Sequence, residues 1–351
     1  MGPDLPRDEV PQGVIFYAYM ELGENEKALT AAQEGLKRDL PAALRYYKLV
    51  VAYRLLNRLD EAQAAAREAV AHHLDGPALQ VALYQVDFLQ HNSEGMQKIV
   101  AKLMGTPSYE DKILYWESYT AAYGGEFGKA RELVRRAVDS AQRADEREQA
   151  AAYEAYAALN EALVGNMALA KQEAQAALAL ANGRDVEAVS AITLALTSEF
   201  AEAARLAGDL GKRFTMDTLV QSLYLPMIHA AVALRSGEGG KAVVALAQAA
   251  PYELGVDAQL YPALLRGEAY LASKQGAPAE IEFQKILDHP GVLGNDPIGA
   301  LAHLDLGRAY GLSGDNAKAK TAYEDFFALW KNADPDIPIL IQAKGEYAKL
   351  K

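Results

Sequence analysis

Cysteine is absent from the chain. That removes disulfides, thiolate metal sites and cysteine nucleophiles together, and leaves a reducing cytoplasmic setting compatible with the sequence. No uninterrupted apolar run reaches the roughly 18 to 20 residues that a membrane span requires. The opening Met1-Gly2-Pro3-Asp4 has no basic segment followed by an apolar one. The expectation is a soluble, cytoplasmic chain with no membrane contact. Positive charge is also in short supply: 35 Lys and Arg stand against 47 Asp and Glu, a formal net charge of −12. The average field therefore repels a phosphate backbone, and nucleic acid is not an expected partner.

Catalytic and ligand-binding patterns are missing too. The strings Gly237-Glu238-Gly239-Gly240-Lys241 and Gly208-Asp209-Leu210-Gly211-Lys212 look like phosphate loops only at first glance. The first would need Gly at 235 and Ser or Thr at 242, where Arg235 and Ala242 stand, and no strand precedes either. His72 and His73 are neighbours, so on a helix they point about 100° apart, and the remaining His91, His229, His289 and His303 lack ligand spacing. No Gly-x-Ser-x-Gly elbow occurs. Nothing assembles an acid, a base and a nucleophile, so the sequence predicts neither an enzyme, a metal site nor a cofactor.

What is abundant is alanine, in runs such as Ala64-Ala65-Ala66 and Ala150-Ala151-Ala152, which favours helices with closely approaching axes. Aligning each helix break on the small residue about five positions later gives nine anchors: Ala28, Ala62, Met96, Ala130, Ala170, Ala203, Ala242, Ala279 and Ala319. The first three intervals are all 34, the period of tetratricopeptide repeats, and the others run from 33 to 40. The ninth unit carries Leu306-Gly307, Tyr310, Gly314, Ala319 and Tyr323, with Pro335 beyond Trp330. Gly307 and Ala319 belong where the two helices of a unit cross, and Gly314 ends the first helix in the left-handed conformation. The eighth unit repeats this with Gly267, Tyr270, Ala279 and Phe283. Met96 breaks the small-residue rule, and the sixth unit lacks a clear Gly turn.

The predicted fold is all-α: an α-solenoid, a right-handed superhelix of about nine helical hairpins plus a C-terminal capping helix. Residues 1–11, with Pro3, Pro6 and Pro11, read as a linker or vector remnant, 12–338 as the solenoid and 339–351 as the cap, with Asp336 as its N-cap and Lys344, Glu346 and Lys349 outward.

From about Asp217 onward, particular strings go beyond the general repeat: Asp217-Thr218-Leu219-Val220-Gln221-Ser222, Ala250-Pro251-Tyr252-Glu253-Leu254-Gly255, Phe283-Gln284-Lys285-Ile286-Leu287-Asp288-His289 and Ala333-Asp334-Pro335-Asp336-Ile337-Pro338. They resemble the C-terminal tetratricopeptide regions of bacterial serine/threonine protein kinases, and of related winged-helix regulators, of the acidobacterial type. The resemblance covers the last 135 residues. It implies the docking or sensory arm of a signalling protein. The kinase motifs themselves are absent from this chain.

In tetratricopeptide folds the first helix of each unit lines a concave groove. Counting back from the anchors places Tyr17, Tyr47, Phe88, Tyr115, Tyr119, Tyr123, Tyr224 and Tyr261 there, with Arg54, Lys112, Arg235, Glu268 and Arg308 as charged neighbours. Tyr115, Tyr119 and Tyr123 fall at i, i+4 and i+8, one helical stripe. Tyrosine offers a partner a flat apolar face and a hydroxyl, while the competing expectation is that the rings pack between repeats. The predicted function is an interaction module that binds a peptide or protein segment in the groove. The alternatives are self-association that dimerises the parent protein, and a small-molecule sensor with a pocket enclosed by the superhelix.

Overall fold

The computed structural model describes residues 10–38 and 42–350, with residues 10–13 and 37–38 described by backbone alone. Every regular element among them is helical, and the fold is an all-α solenoid of paired helices. The hairpins are α1 (Val10–Glu21) with α2 (Asn25–Arg38), α3 (Ala43–Leu55) with α4 (Leu59–Ala71), α5 (Pro77–Leu89) with α6 (Ser93–Leu103), α7 (Glu110–Tyr123) with α8 (Phe127–Arg143), and α9 (Arg147–Leu163) with α10 (Met167–Leu180). They continue with α11 (Arg184–Leu196) and α12 (Phe200–Arg213), α13 (Leu225–Arg235) and α14 (Gly239–Leu246), and α15 (Tyr261–Ala272) and α16 (Gly276–Asp288). A short α17 (Pro290–Leu293) precedes the last pair, α18 (Ile298–Leu312) with α19 (Asn316–Leu329), and α20 (Pro338–Tyr347) closes the chain. A π-helical turn, Val220–Tyr224, leads into α13. Pro226 has no N–H to give to the preceding turn, and the wider turn absorbs that loss.

One local device repeats in all nine hairpins. The residue five before each anchor has a left-handed backbone: Gly23, Asn57, His91, Gly125, Gly165, Ser198, Gly237, Lys274 and Gly314. The next residue sends its N–H back to a carbonyl of the preceding helix, as Glu24 to Tyr19, Glu199 to Leu194 and Asp315 to Tyr310. This is the Schellman closure that satisfies the carbonyls at a helix end. Each anchor is then the fourth residue of the second helix. Eight of the nine are buried, and only Met96 is partly exposed. Ser198 makes the turn that the sixth unit lacked a glycine for. At the crossings, a Cβ on Gly267 would meet the Phe283 ring at 2.6 Å and one on Gly307 the Tyr323 ring at 2.8 Å, so the small residues are sterically required.

The chain divides into two compact units, one running through Ile99 with Pro251–Leu260 and His289–Gly294, the other holding Val100–Ala250, Tyr261–Asp288 and Asn295 onward. This differs from a single solenoid over 12–338 followed by a cap from 339. α1 already begins at Val10, inside the span read as linker, and residues 1–9 of that linker lie outside the described residues. α20 starts at Pro338, and its N-cap is Ile337 without a side-chain bond, so Asp336 does not cap it.

In the first unit the inserted segments fasten the hairpins. Val256 donates its N–H to Met20 O at 3.1 Å, and Asn25 Nδ2 donates to Leu254 O at 3.3 Å. In the second unit, hairpin α18–α19 and α20 lie against hairpins α7–α8 and α9–α10. One hydrophobic cluster joins Leu114, Phe127, Tyr153 and Val164 to Leu301, Phe326, Trp330 and Leu340. A simple solenoid has each repeat touching only its neighbours. Here the backbone itself bridges: Asp334 N–H donates to Gly125 O and Ile339 N–H to Val164 O, both at 3.1 Å.

Candidate functional site

That bridging decides the fate of the tyrosine stripe. Asn295 Nδ2 donates to Trp116 O at 2.7 Å and to Thr120 Oγ1 at 3.0 Å, and Trp330 Nε1 donates to Tyr123 O at 3.1 Å. The face of α7 that was expected to line an open groove is covered by the chain's own C-terminal part. Tyr119 is 2% exposed, and Tyr115 and Tyr123 are partly buried against the same cluster. Tyr115 donates its hydroxyl proton to Tyr119 at 2.9 Å and stacks on Tyr153 at a centroid distance of 4.5 Å. Tyr153 in turn donates to Asp111 at 2.6 Å.

Tyr261 belongs to the same interior. Its hydroxyl lies 3.3 Å from Asp296 Oδ2 and 3.5 Å from Asn160 Oδ1. Burial pushes Asp296 up to about 7, against the bonds from Ile298 N–H and Tyr261 that favour its charged form. Burial likewise raises Tyr119 and Tyr261 well above the usual phenol range. These rings are core residues with internal polar partners. Tyr224 is also buried, and its hydroxyl donates to Asp185 at 3.0 Å.

Three of the predicted charged residues do meet. Arg235, Glu268 and Arg308 line a cavity of about 750 Å³, walled by the ends of α9, α13, α15 and α18 and by α20. Arg308 binds Glu346 through Nε at 2.9 Å and Asp305 through Nη1 at 2.9 Å, and Tyr323 donates to Glu346 at 2.9 Å. Glu346, expected to face outward on the cap, is therefore the acceptor that ties α20 to hairpin α18–α19. Burial raises the Glu268 carboxyl, with Asp305 adding to the shift and Arg308 and Arg235 opposing it.

Lys112 sits at the other end of α7, donating to Ser108 O at 2.7 Å and lying 3.5 Å from both Asp111 and Glu146. In the first unit, Tyr47 and Phe88 are half-buried. Arg54 is buried, donates to Gly291 O at 2.6 Å, and is lowered to about 10 by burial. Only Tyr17 of the predicted rings is openly exposed, at 40%. It shares an α1 face with Val14, 61% exposed, and Lys48 Nζ sits 5.3 Å over its ring, while Ile15, 43% exposed, lies on the flank. Leu44, 54% exposed, is one helical turn before Lys48.

A second concavity has one of the predicted groove residues, Tyr119, in its lining. Helices α7 to α10 enclose a cleft of about 620 Å³ with apolar walls and the carboxyl groups of Glu154, Glu161 and Glu173. A further signal in the sequence is the polar pair Asn160-Glu161 within an otherwise alanine-rich helix. Among the described residues no group of His, Cys, Asp or Glu is placed to hold a metal ion, and no helix is long and apolar enough to cross a membrane.

No protein-family model and no curated protein matches the chain. Solved structures similar to it include the tetratricopeptide domain of P58(IPK), at 12% identity over 97% of both chains with a TM-score of 0.29. Yeast Tom70 follows at 10% identity over 97% of this chain and 95% of that one, with a TM-score of 0.36. The human IFIT1 dimer with PPP-AAAA is similar at 16% identity over 97% of this chain and 75% of that one, with a TM-score of 0.45. At such identities and scores, the fold of this chain rests on its own helices and turns.

Proposed function

We propose that this chain is a protein-interaction module, the docking arm of a multidomain bacterial signalling protein such as a serine/threonine kinase. The observation that carries the reading is the outer face of α1. Here Val14 and Tyr17, three residues apart on α1, share an exposed face, Lys48 Nζ sits 5.3 Å over the Tyr17 ring, and Ile15 is exposed on the flank. Exposed apolar side chains gathered on one helix face offer a surface that another protein can cover. The signalling-arm part of the reading is supported by the resemblance of residues 217–338.

A photo-crosslinking residue in place of Val14, in cells making the full-length protein, tests this. The expected result is a discrete protein adduct that an Ile15→Glu, Tyr17→Ala background loses and that the same probe in place of exposed Glu132 does not form. No adduct, or the same adducts at both positions, would overturn it. Reading the coding sequence upstream of Met1 tests the arm: an in-frame kinase or DNA-binding domain supports it, and a stop codon immediately upstream counts against it.

A further inference from the structure

We propose that the cleft enclosed by α7 to α10 is a binding site for a small organic cation, an apolar body carrying one protonated amine. Its volume of about 620 Å³ is that of a small-molecule site. Val134 and Val138 of α8 and Leu169, Ala176 and Leu180 of α10 form walls that favour a hydrocarbon or aryl body.

The polar groups decide the sign of the ligand's charge. Arg131 is already committed: its Nε and Nη2 grip Glu161 at 2.7 and 3.0 Å, and Asn166 Nδ2 adds a third bond to the same carboxylate at 2.6 Å. Arg135 is exposed at the mouth. That leaves the carboxyl groups of Glu154 and Glu173 inside without a matching cation. Glu173 Oε2 is buried and has no hydrogen-bond partner. Leaving a buried carboxyl unpaired costs free energy unless something completes it.

A carboxylate ligand would meet Glu154 and Glu173 inside, with Arg131 held by Glu161 and Arg135 only at the exposed mouth. An uncharged alcohol would gain the walls and a neutral hydrogen bond to Glu173, without the stronger charge-assisted bond that an ammonium makes. An ammonium completes the site. The same arrangement predicts a proton count. Burial holds Glu173 up to about 8, with Glu161 and Glu154 of α9 adding to the shift and Arg131 of α8 opposing it. Near neutral pH the carboxyl is mostly protonated, so an arriving ammonium displaces that proton to solvent and faces a carboxylate. The site lies in the second unit and does not depend on the docking face of α1.

Titration calorimetry of the whole chain with 4-phenylbutylamine, 4-phenylbutan-1-ol and 4-phenylbutanoate tests the inference. The amine is expected to bind at least about tenfold more tightly than the alcohol, with the carboxylate weakest. Titrations in buffers of different ionisation enthalpy should show proton release with the amine. Glu173→Gln should remove both the preference and the release, and Ala176→Phe, filling the cleft from an exposed position, should weaken amine and alcohol together. Equal binding of amine and alcohol, a preference for the carboxylate, no binding of any of the three, or an amine preference that survives Glu173→Gln would each overturn it.

Discussion

The indole N–H of Trp330 donates to the carbonyl oxygen of Tyr123, 3.1 Å away in space and 207 positions away in sequence. The Trp330 ring also packs 4.7 Å from Phe326 and 6.1 Å from Phe127, centroid to centroid, so one side chain holds the end of α19 to hairpin α7–α8. Trp330→Ala should destabilise the protein by about 3 to 5 kcal/mol, the range for truncating a large buried ring. Trp330→Phe should recover part of the packing but not the hydrogen bond. Urea unfolding reads both, and an unshifted midpoint for Trp330→Ala would show that the contact contributes nothing.

Two glycines with the same backbone sign should respond differently to a methyl group. Gly125 has φ +78°, and a Cβ there would come within 2.5 Å of Ala333 Cβ and 2.7 Å of the Trp330 ring. Gly314 has φ +81° with nothing within 4 Å. Both Ala variants carry the left-handed penalty of about 1 kcal/mol, but Gly125→Ala must also push the C-terminal segment away. Thermal melting should rank Gly125→Ala clearly below Gly314→Ala, and equal losses would refute the close approach.

The turn at Lys274 offers a gain. Its φ is +57° and its side chain is exposed, so Lys274→Gly relieves strain without removing packing. An increase of about 0.5 kcal/mol in unfolding free energy is expected, partly offset by the freer unfolded chain. A loss of stability would contradict the strain.

Asp296 makes a pH prediction. Its folded pKa of about 7 lies above the usual aspartate value near 3.9, so the folded protein holds the proton more tightly than the unfolded chain. The stability linked to this group is fully present below the unfolded value and is lost as pH rises through the folded one. Across that window its slope is at most about −1.4 kcal/mol per pH unit. Asp296→Asn should flatten the dependence of stability between about pH 5 and 7. A profile identical to that of the unchanged protein would rule out this carboxyl as its source.

Local structure was legible because it is written in neighbouring residues. A left-handed turn, five steps and a residue at the fourth position of the next helix locate every hairpin, even where Met96 stands at the anchor or Ser198 at the turn. The candidate groove was less legible for an equally physical reason. The spacing of Tyr115, Tyr119 and Tyr123 fixes which face of α7 they share but not what lies against it. The covering groups, Asn295 and Trp330, come from far along the chain and belong to no repeat pattern. Arg235, Glu268 and Arg308 were singled out and do share a cavity, because the ends of several first helices converge there. In the sequence Glu154 and Glu173 are two ordinary charges among many until α8 and α10 wall them in.

The bond from Ile339 N–H to Val164 O, with those from Asp334 and Trp330, has a consequence for the order in which the protein is made. Hairpins α7–α8 and α9–α10 leave the ribosome long before the residues that cover them. At about 5 to 20 residues per second, the lag between Tyr123 and Trp330 is on the order of 10 to 40 s. Throughout that time the Phe127 ring lacks its Trp330 neighbour. The second unit is thus completed only once Trp330, Asp334 and Ile339 have been made.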